Sequence, residues 1–455
     1  MNSKTRHVMA FICLTSVFLL CSFFVSAFSL TPQSENSSLL KYEVNDLFVG
    51  SLKHIIQIID PTASRIMGGE FFVPLIRNET ARHYAILNIS SSMGQPTILS
   101  DDSGNTYAYW SNIIIDGKQN FYAEINYYVL SFSTRYIINP SLIADYNKGS
   151  DLYKKYTQPE ELIQSNNSKI VSKMQNLMSG ANNIGEKVSK IYNFVTTHIR
   201  YAKQEEEKGA LWALENGVGD CSEYSCLFVA LCRAAGIPAR VQAGFAFHRV
   251  NEALEDGHMW AEYYLENYGW IPVDATWRLF DTLDYRHFSS IQSIPEPTPY
   301  ANYIFNYTTG PEQIDEKQTV SIKPCSANVF GDGSFAENAV NTVTEIKQAK
   351  FALFLAKVFG ATLIFSPEAT KAEQTLLESQ INLQNAIDFW KDLPQIAQLN
   401  VADALESAEE AANCAWMLIV KTLILLISIS TVIMLIVLVF MKRYKSKLEE
   451  KPSEL

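Results

Sequence analysis

Cys221 is the residue of this chain best placed to act as a nucleophile, and the reason lies in the stretch around it, "GVGDCSEYSCLFVALCRAAGIPARV". Between Cys221 and Gly236 there is no proline or glycine, and Gly236-Ile237-Pro238 supplies a stop, so a helix opening at Cys221 is expected. A cysteine in that position meets unpaired backbone N–H groups and the positive end of the helix dipole, which favour thiolate over thiol. Cys226 and Cys232 follow on the same helix. Cys226 lies about 140° around from Cys221, and even this pair keeps its Cα atoms roughly 8 to 9 Å apart, beyond the ~7 Å limit for a bridge. Both read as small apolar helix residues. No Cys-x-x-Cys, paired-histidine or acidic glycine-turn loop stands nearby, so neither a metal nor another cofactor is expected.

A thiolate nucleophile needs an imidazole, and the imidazole needs a group to orient it. The stretch "GHMWAEYYLENYGWIPVDATW" offers both as a hairpin, with His258 to Leu265 as one strand and Trp270 to Trp277 as the other. A turn centred on Glu266 sets His258 opposite Asp274 on one face; a turn centred on Asn267 leaves them diagonal. Either register keeps the two near each other.

The two quoted stretches closely resemble the transglutaminase-like domain of the papain-like cysteine enzymes. That family has Cys on a helix after Gly-Asp, an Ala-Gly-Ile-Pro-Ala-Arg exit, a His-x-Trp-x-Glu strand and a Gly-Trp-x-x-x-Asp-x-Thr strand, and all four elements are matched here in order. The resemblance runs from about Ile184 to Trp277, roughly a fifth of the chain. It implies an α+β core in which a helix bearing Cys221 packs on an antiparallel sheet bearing His258 and Asp274, with Cys221 as nucleophile, His258 as general base and acid, and Asp274 as orienter. Trp212, nine residues before Cys221, is a candidate second oxyanion donor through its indole N–H, the alternative being a packing tryptophan. Trp260 and Glu262, with Trp270 and Trp277, are candidates for shaping the site; core packing explains the tryptophans as well, and a solvated strand position explains Glu262.

The elements that must hold these residues are legible more coarsely. From about Glu70 to Ile138 apolar and polar residues alternate with period two between turn signals such as "DDSGN", the pattern of a small β-sandwich. From Asn183 the period becomes helical, with Ile184, Val188, Tyr192, Val195 and Ile199 on one stripe and Asn183 and Glu186 as a capping box. "SIPEPTPY" marks a boundary. "FALFLAKVFGATLIF", Phe351 to Phe365, carries Lys357 and is too short for a span, so a buried helix is expected. Leu376, Leu383, Ile387 and Trp390 form one seam and Val401, Leu405, Ala408, Ala412 and Ala415 another, as in a helical hairpin or an oligomerising coiled coil. The expected organisation is a signal peptide or uncleaved anchor (1–27), an N-terminal segment (28–69), the sandwich (70–140), the catalytic domain (141–292), a proline-containing linker (293–334), a helical hairpin stalk (335–415), a transmembrane helix (417–441) and a cytoplasmic tail (442–455).

The ends set the compartment. Lys4, Arg6 and His7 precede an apolar run from Val8 to Val25 that closes on "VSA", as in a secretory signal. Thr422 to Met441 is uncharged and long enough for a hydrocarbon core of about 30 Å, and "KRYKSK" follows, which the positive-inside rule puts in the cytoplasm. The rest would lie outside, where sequons at Asn36, Asn78, Asn88, Asn166 and Asn306 could be glycosylated. A net charge of −11 excludes a phosphate-neutralising face and hence a nucleic-acid partner. The expectation is a membrane-anchored thiol enzyme acting on a protein or peptide substrate through a thioester, by hydrolysis or by cross-linking. A catalytically silent surface binding or adhesion protein is the alternative.

Overall fold

Alternation of apolar and polar residues drives the first third of the chain into strands, and it does so over a wider range than the turn signals suggest. The computed structural model describes residues 40–449 apart from 79–81, 118, 294–302 and 332; the signal segment, Asn36 and most of "SIPEPTPY" lie outside the described residues. The described chain divides into two compact units, residues 40–340 with Gln384–Gln398, and Asn341–Leu383 with residues 399–449.

The first unit begins with β1 (Tyr42–Ile59), β2 (Ile66–Pro74), β3 (His83–Ser91), β4 (Thr97–Ser100), β5 (Thr106–Ile115) and β6 (Phe121–Tyr136). Short helices α1 (Asp151–Tyr156) and α2 (Ser168–Met178) lead to α3 (Ile184–His198), capped by Asn183 as its sequence predicts, then α4 (Gly209–Asn216) and α5 (Cys221–Ala234). Strands β7 (Ala239–Ala246), β8 (His258–Leu265), β9 (Gly269–Asp274), β10 (His287–Gln292), β11 (Ile304–Asn306) and β12 (Asp315–Pro324) follow.

Two sheets face each other around a core that includes Leu52, Ile56, Phe71, Trp110, Phe121 and Ile125. One has β12, β1 and β6 in that order, with β3 also on β6; the other has β11, β2, β5 and β4. The sandwich therefore starts at residue 42, inside the segment expected to precede it. Nor is 293–334 a plain linker: β11 pairs with β2, and β12 lies along β1 from Gly50↔Pro324 to Ile59↔Asp315. The physical reason is in "TVSIK", whose Val320 and Ile322 are buried in the sandwich core, an alternation that the preceding prolines obscured.

The segment from Ala239 to Gln292 forms its own five-stranded sheet, in which β9, β8, β7 and β10 are consecutive neighbours. Phe245 and Phe247, at the end of β7, and Phe288 on β10 belong to the sandwich core. That shared burial ties the two sheets together, since each large apolar side chain removed from water is worth about 1.5–3 kcal/mol.

The second unit is built from most of α6 (Phe335–Val358), all of α7 (Ala361–Ile364), most of α8 (Ser366–Phe389) and the part of α9 (Pro394–Glu449) from residue 399 onward. Within it α6 and α9 run the same way, with Thr342 Oγ1 bonded to the Val401 carbonyl and the Phe351 and Trp416 rings 6.4 Å apart. Helix α8 runs against α9: Ser379 Oγ donates to the Ala404 carbonyl at 2.7 Å, and Glu368 meets Lys421 at 3.3 Å. The expected hairpin of α8 and α9 thus gains α6 as a third member. Phe351 to Phe365 is no single buried helix, because Gly360 takes the left-handed conformation (φ 74°) and breaks it. Helix α9 contains a stretch long and apolar enough to cross a membrane.

Candidate active site

Every residue of "GVGDC" has a local task. Gly217 ends α4 with φ 62°, in the left-handed region. Val218 and Gly219 pair in parallel with Arg200 and Tyr201. A Cβ on Gly219 would lie 2.3 Å from Cβ of Glu223, so only glycine lets that side chain fold back over the helix start. Asp220 is the N-cap, accepting from Ser222 N–H at 3.1 Å, while Glu223 accepts from Asp220 N–H at 3.0 Å, a complete capping box. Cys221 is then the first helical residue, with a free thiol and half-buried, whereas Cys226 and Cys232 are fully buried. Burial raises both of those thiols well above the usual range, so they are inert by solvation as well as by position.

His258 lies at the start of β8, paired with Gly244 of β7. The hairpin of β8 and β9 has Ala261↔Val273 as its last pair, the register centred on Asn267, so His258 and Asp274 are diagonal. They meet nonetheless: His258 Nε2–H donates to Asp274 Oδ2 at 2.7 Å. A carboxylate can only accept here, which assigns the Nε2 proton and leaves Nδ1 for the thiol. Burial opposes the imidazolium, but the Asp274 charge and hydrogen bond, with contact from Cys221, raise the His258 pKa to about 9. Cys221 and His258 line one cavity of about 270 Å³.

Sequence reasoning missed His287. On β10 it is separated from β8 by β7, and hairpin arithmetic relates adjacent strands only. Its Nε2 reaches the same Asp274 Oδ2 at 3.2 Å and its Nδ1 reaches Asp284 Oδ1 at 2.9 Å. Both ring nitrogens face carboxylates, so both must be donors and the ring is a buried imidazolium. Its pKa accordingly rises: burial opposes the charge, but hydrogen bonds to Asp274 and Asp284 outweigh it. Asp274 Oδ1 accepts the backbone N–H groups of Thr276 and Trp277, each at 2.9 Å. Burial would raise the Asp274 pKa; its two histidines and these donors hold it well below the carboxylate range. His258, Asp274 and His287 place their ligand atoms within 4.8 Å, as a metal site would. Both Nε2 atoms also lie within hydrogen-bond distance of one carboxylate oxygen, at 2.7 and 3.2 Å, so the same three groups make a charge-assisted hydrogen-bond network.

The remaining expected residues separate. Trp212 sits half-buried on α4 and is not among the residues lining the cavity. Trp260 is 1% exposed and packs against the His258 and His287 rings, at 6.2 and 5.3 Å between centroids. Trp277 does likewise, 5.3 Å from His258 and 4.8 Å from His287. Trp270 instead stacks under Arg240. Glu262 is no solvated strand residue. It is fully buried, bound by Arg82, Arg240 and Gln242. Burial opposes its charge, but the two guanidiniums hold its pKa below the ordinary range.

Residues 172–275 match the transglutaminase-like superfamily core. A stretch of 68 residues is 38% identical to a protein-glutamine gamma-glutamyltransferase of Pseudomonas aeruginosa, covering 13% of this chain and 10% of that protein. A second, of 99 residues, is 27% identical to the Bacillus subtilis protein YebA, covering 19% of this chain and 13% of that one. This chain therefore aligns with only about a tenth of either relative. Among solved structures, a proposed cysteine protease of Cytophaga hutchinsonii is 16% identical with a TM-score of 0.46, covering 62% of this chain and 100% of that one. The periplasmic domain of TgpA from P. aeruginosa is 15% identical with a TM-score of 0.28, covering 55% and 98%. Cys221, His258 and Asp274 thus stand within or at the edges of the elements of a transglutaminase-like domain, which this chain carries at residues 172–275.

Proposed function

We propose that this domain is a thiol enzyme that transfers acyl groups from carboxamide or peptide bonds through a Cys221 thioester. The observation that carries the reading is the order of groups from cavity to interior: a half-buried thiol at a helix start, an imidazole on the same cavity, and a buried carboxylate on that imidazole's far nitrogen. In the acylation step Cys221 Sγ attacks the carbonyl carbon, the C–N bond breaks, and His258 gives its Nδ1 proton to the departing amine. In the second step water or another amine attacks the thioester, His258 takes up its proton, and Sγ leaves as thiolate. The backbone N–H of Cys221, outside the helical ladder, is the proposed oxyanion donor, and Gln204 is the amide side chain lining the cavity.

Glu205, Glu206, Glu207, Asp220 and Asp256 line the cavity against Lys203 and the His258 imidazolium, an acidic excess that supports a substrate carrying positive charge near the reacting bond. The basic run after residue 441 supports an anchored protein with this domain outside the cytoplasm. The exposed sequon residues Asn78, Asn88, Asn166 and Asn306 agree with that side.

The test is carbamidomethylation of the full chain at pH 6, with the half-buried Cys325 and Cys414 as internal comparators. Cys221 should react first and lose that lead in His258→Ala. Equal rates at the three thiols, or indifference to His258, would leave the binding-module reading instead. Amine incorporation into a glutamine peptide, measured beside ammonia and peptide release, separates cross-linking from hydrolysis.

A further inference from the structure

The second unit has a sharp change in surface polarity, at the same level on two helices. Along α6, among the described residues, no large apolar side chain is exposed until Phe351 (55%); from there to the end of α7, Phe354, Val358, Phe359, Leu363 and Ile364 are all exposed. Along α9, apart from Ile396 and Leu399 near its start, the first is Trp416 (40%), after which exposed apolar residues continue through the uncharged stretch 422–441. Phe351 and Trp416 are ring neighbours and the helices run the same way, so both surfaces turn apolar at one plane.

The depth of that plane is fixed by packing. Ala352, Ala356, Ala361 and Ala369 form one buried cluster with Ala415, Leu418 and Ile419 of α9. Small side chains there let the elbow between α6 and α8 lie close against α9. Ile419 precedes Thr422 by three residues, about 4.5 Å along the axis. Lys357 is exposed in the elbow, Lys421 sits beside the Phe365 ring, and α8 opens with the exposed residues Ser366, Pro367 and Glu368. Aromatic rings, basic side chains and a polar turn at one level fit the boundary between headgroups and acyl chains.

Resting on the reading of residues 422–441 as a membrane span, we infer that the α6–α7 elbow is a second membrane contact, its Phe351–Ile364 face seated in the headgroup–acyl boundary beside the span. A soluble partner would need a patch on one side of the bundle; a lipid surface needs a level, and a level is what the two helices share.

The experiment reconstitutes the full chain into phosphatidylcholine nanodiscs doped with a phospholipid carrying a diazirine high on its acyl chain, and maps adducts after photolysis by mass spectrometry. Leu399, 67% exposed and about 34 Å up the same helix from Thr422, is the matched control. Adducts on Phe354, Phe359 and Leu363 should approach those on the first turns of the span and exceed Leu399 many-fold. Adducts on 422–441 with an elbow no better labelled than Leu399 overturn the inference. So does an unlabelled elbow that cross-links to a second copy. Absence of adducts on 422–441 itself would instead remove the span on which the inference rests.

Discussion

Two buried carboxylates stand on neighbouring strands of one sheet, Asp274 at the end of β9 and Glu262 in the middle of β8, and both are fully excluded from solvent. Asp274 is matched by two histidines and Glu262 by two arginines. The difference lies in what the cations can do. Guanidinium keeps its proton at any pH the protein meets, so Glu262 sits in a permanent ion cluster that fixes β8 against β7. Imidazole can release its proton, so the charge around Asp274 is adjustable, and one of its histidines opens onto a cavity. Similar burial and similar net charge thus serve structure in one place and, on the function proposed, proton transfer in the other.

The comparison is broken most severely at the carboxylates themselves. Asp274→Asn should leave the fold in place but lower amine incorporation or peptide release by about 10⁴-fold, because the amide accepts poorly from His258 and lets the wrong tautomer form; a loss under tenfold would deny Asp274 its orienting role. Glu262→Gln should do the reverse, costing about 3–5 kcal/mol in denaturant unfolding by leaving two buried guanidiniums without a counter-charge, with activity per folded molecule changed far less. His287→Gln keeps a donor toward Asp274 but removes a positive charge. His258 is then the only cation on that carboxylate, and its titration, followed by NMR of ring-labelled histidine, should move upward by up to about one unit; an unmoved midpoint would mean that His287 only fills space.

The smallest effect is the most diagnostic of pH. The folded pKa of His258, about 9, lies above its unfolded value of about 6.5, so its stabilisation is complete below 6.5 and is lost as pH rises through about 9. The thermal midpoint should therefore fall across that window, less steeply in His258→Gln, while Glu262 and its arginines contribute no slope there. Identical slopes would contradict the ion pair.

What could be read from sequence follows the range of the interaction. The helix start at Cys221 and the helix stop at Gly236 are local, and the structure has them as the spacing predicts. His258 and Asp274 are sixteen positions apart on paired strands, so parity brought them together even though the register is the diagonal one. His287 needed β10 to be placed beside β7, and β12 needed a partner 256 residues upstream (Ile59 against Asp315); no local pattern states either. For Glu262 the sequence leaves site-shaping and a solvated strand position both open, because its cations, Arg82 and Arg240, come from another strand or from before the domain. The run Phe351 to Phe365 departs from a single buried helix for a local reason, since Gly360 inside the apolar string is a helix stop.

That late arrival of β12 matters during synthesis. β1 emerges early, an eighteen-residue strand with fully buried Leu52, Ile56 and Ile58, and β6 can cover one of its edges within the next 80 or so residues. The other edge waits for residue 315, which at ribosomal speeds of about 5–20 residues per second means roughly 13 to 51 s with unpaired N–H and C=O groups on display. A nascent chain stalled anywhere between these strands would expose a sticky ribbon, so this protein should depend on holdase chaperones more than its finished architecture implies.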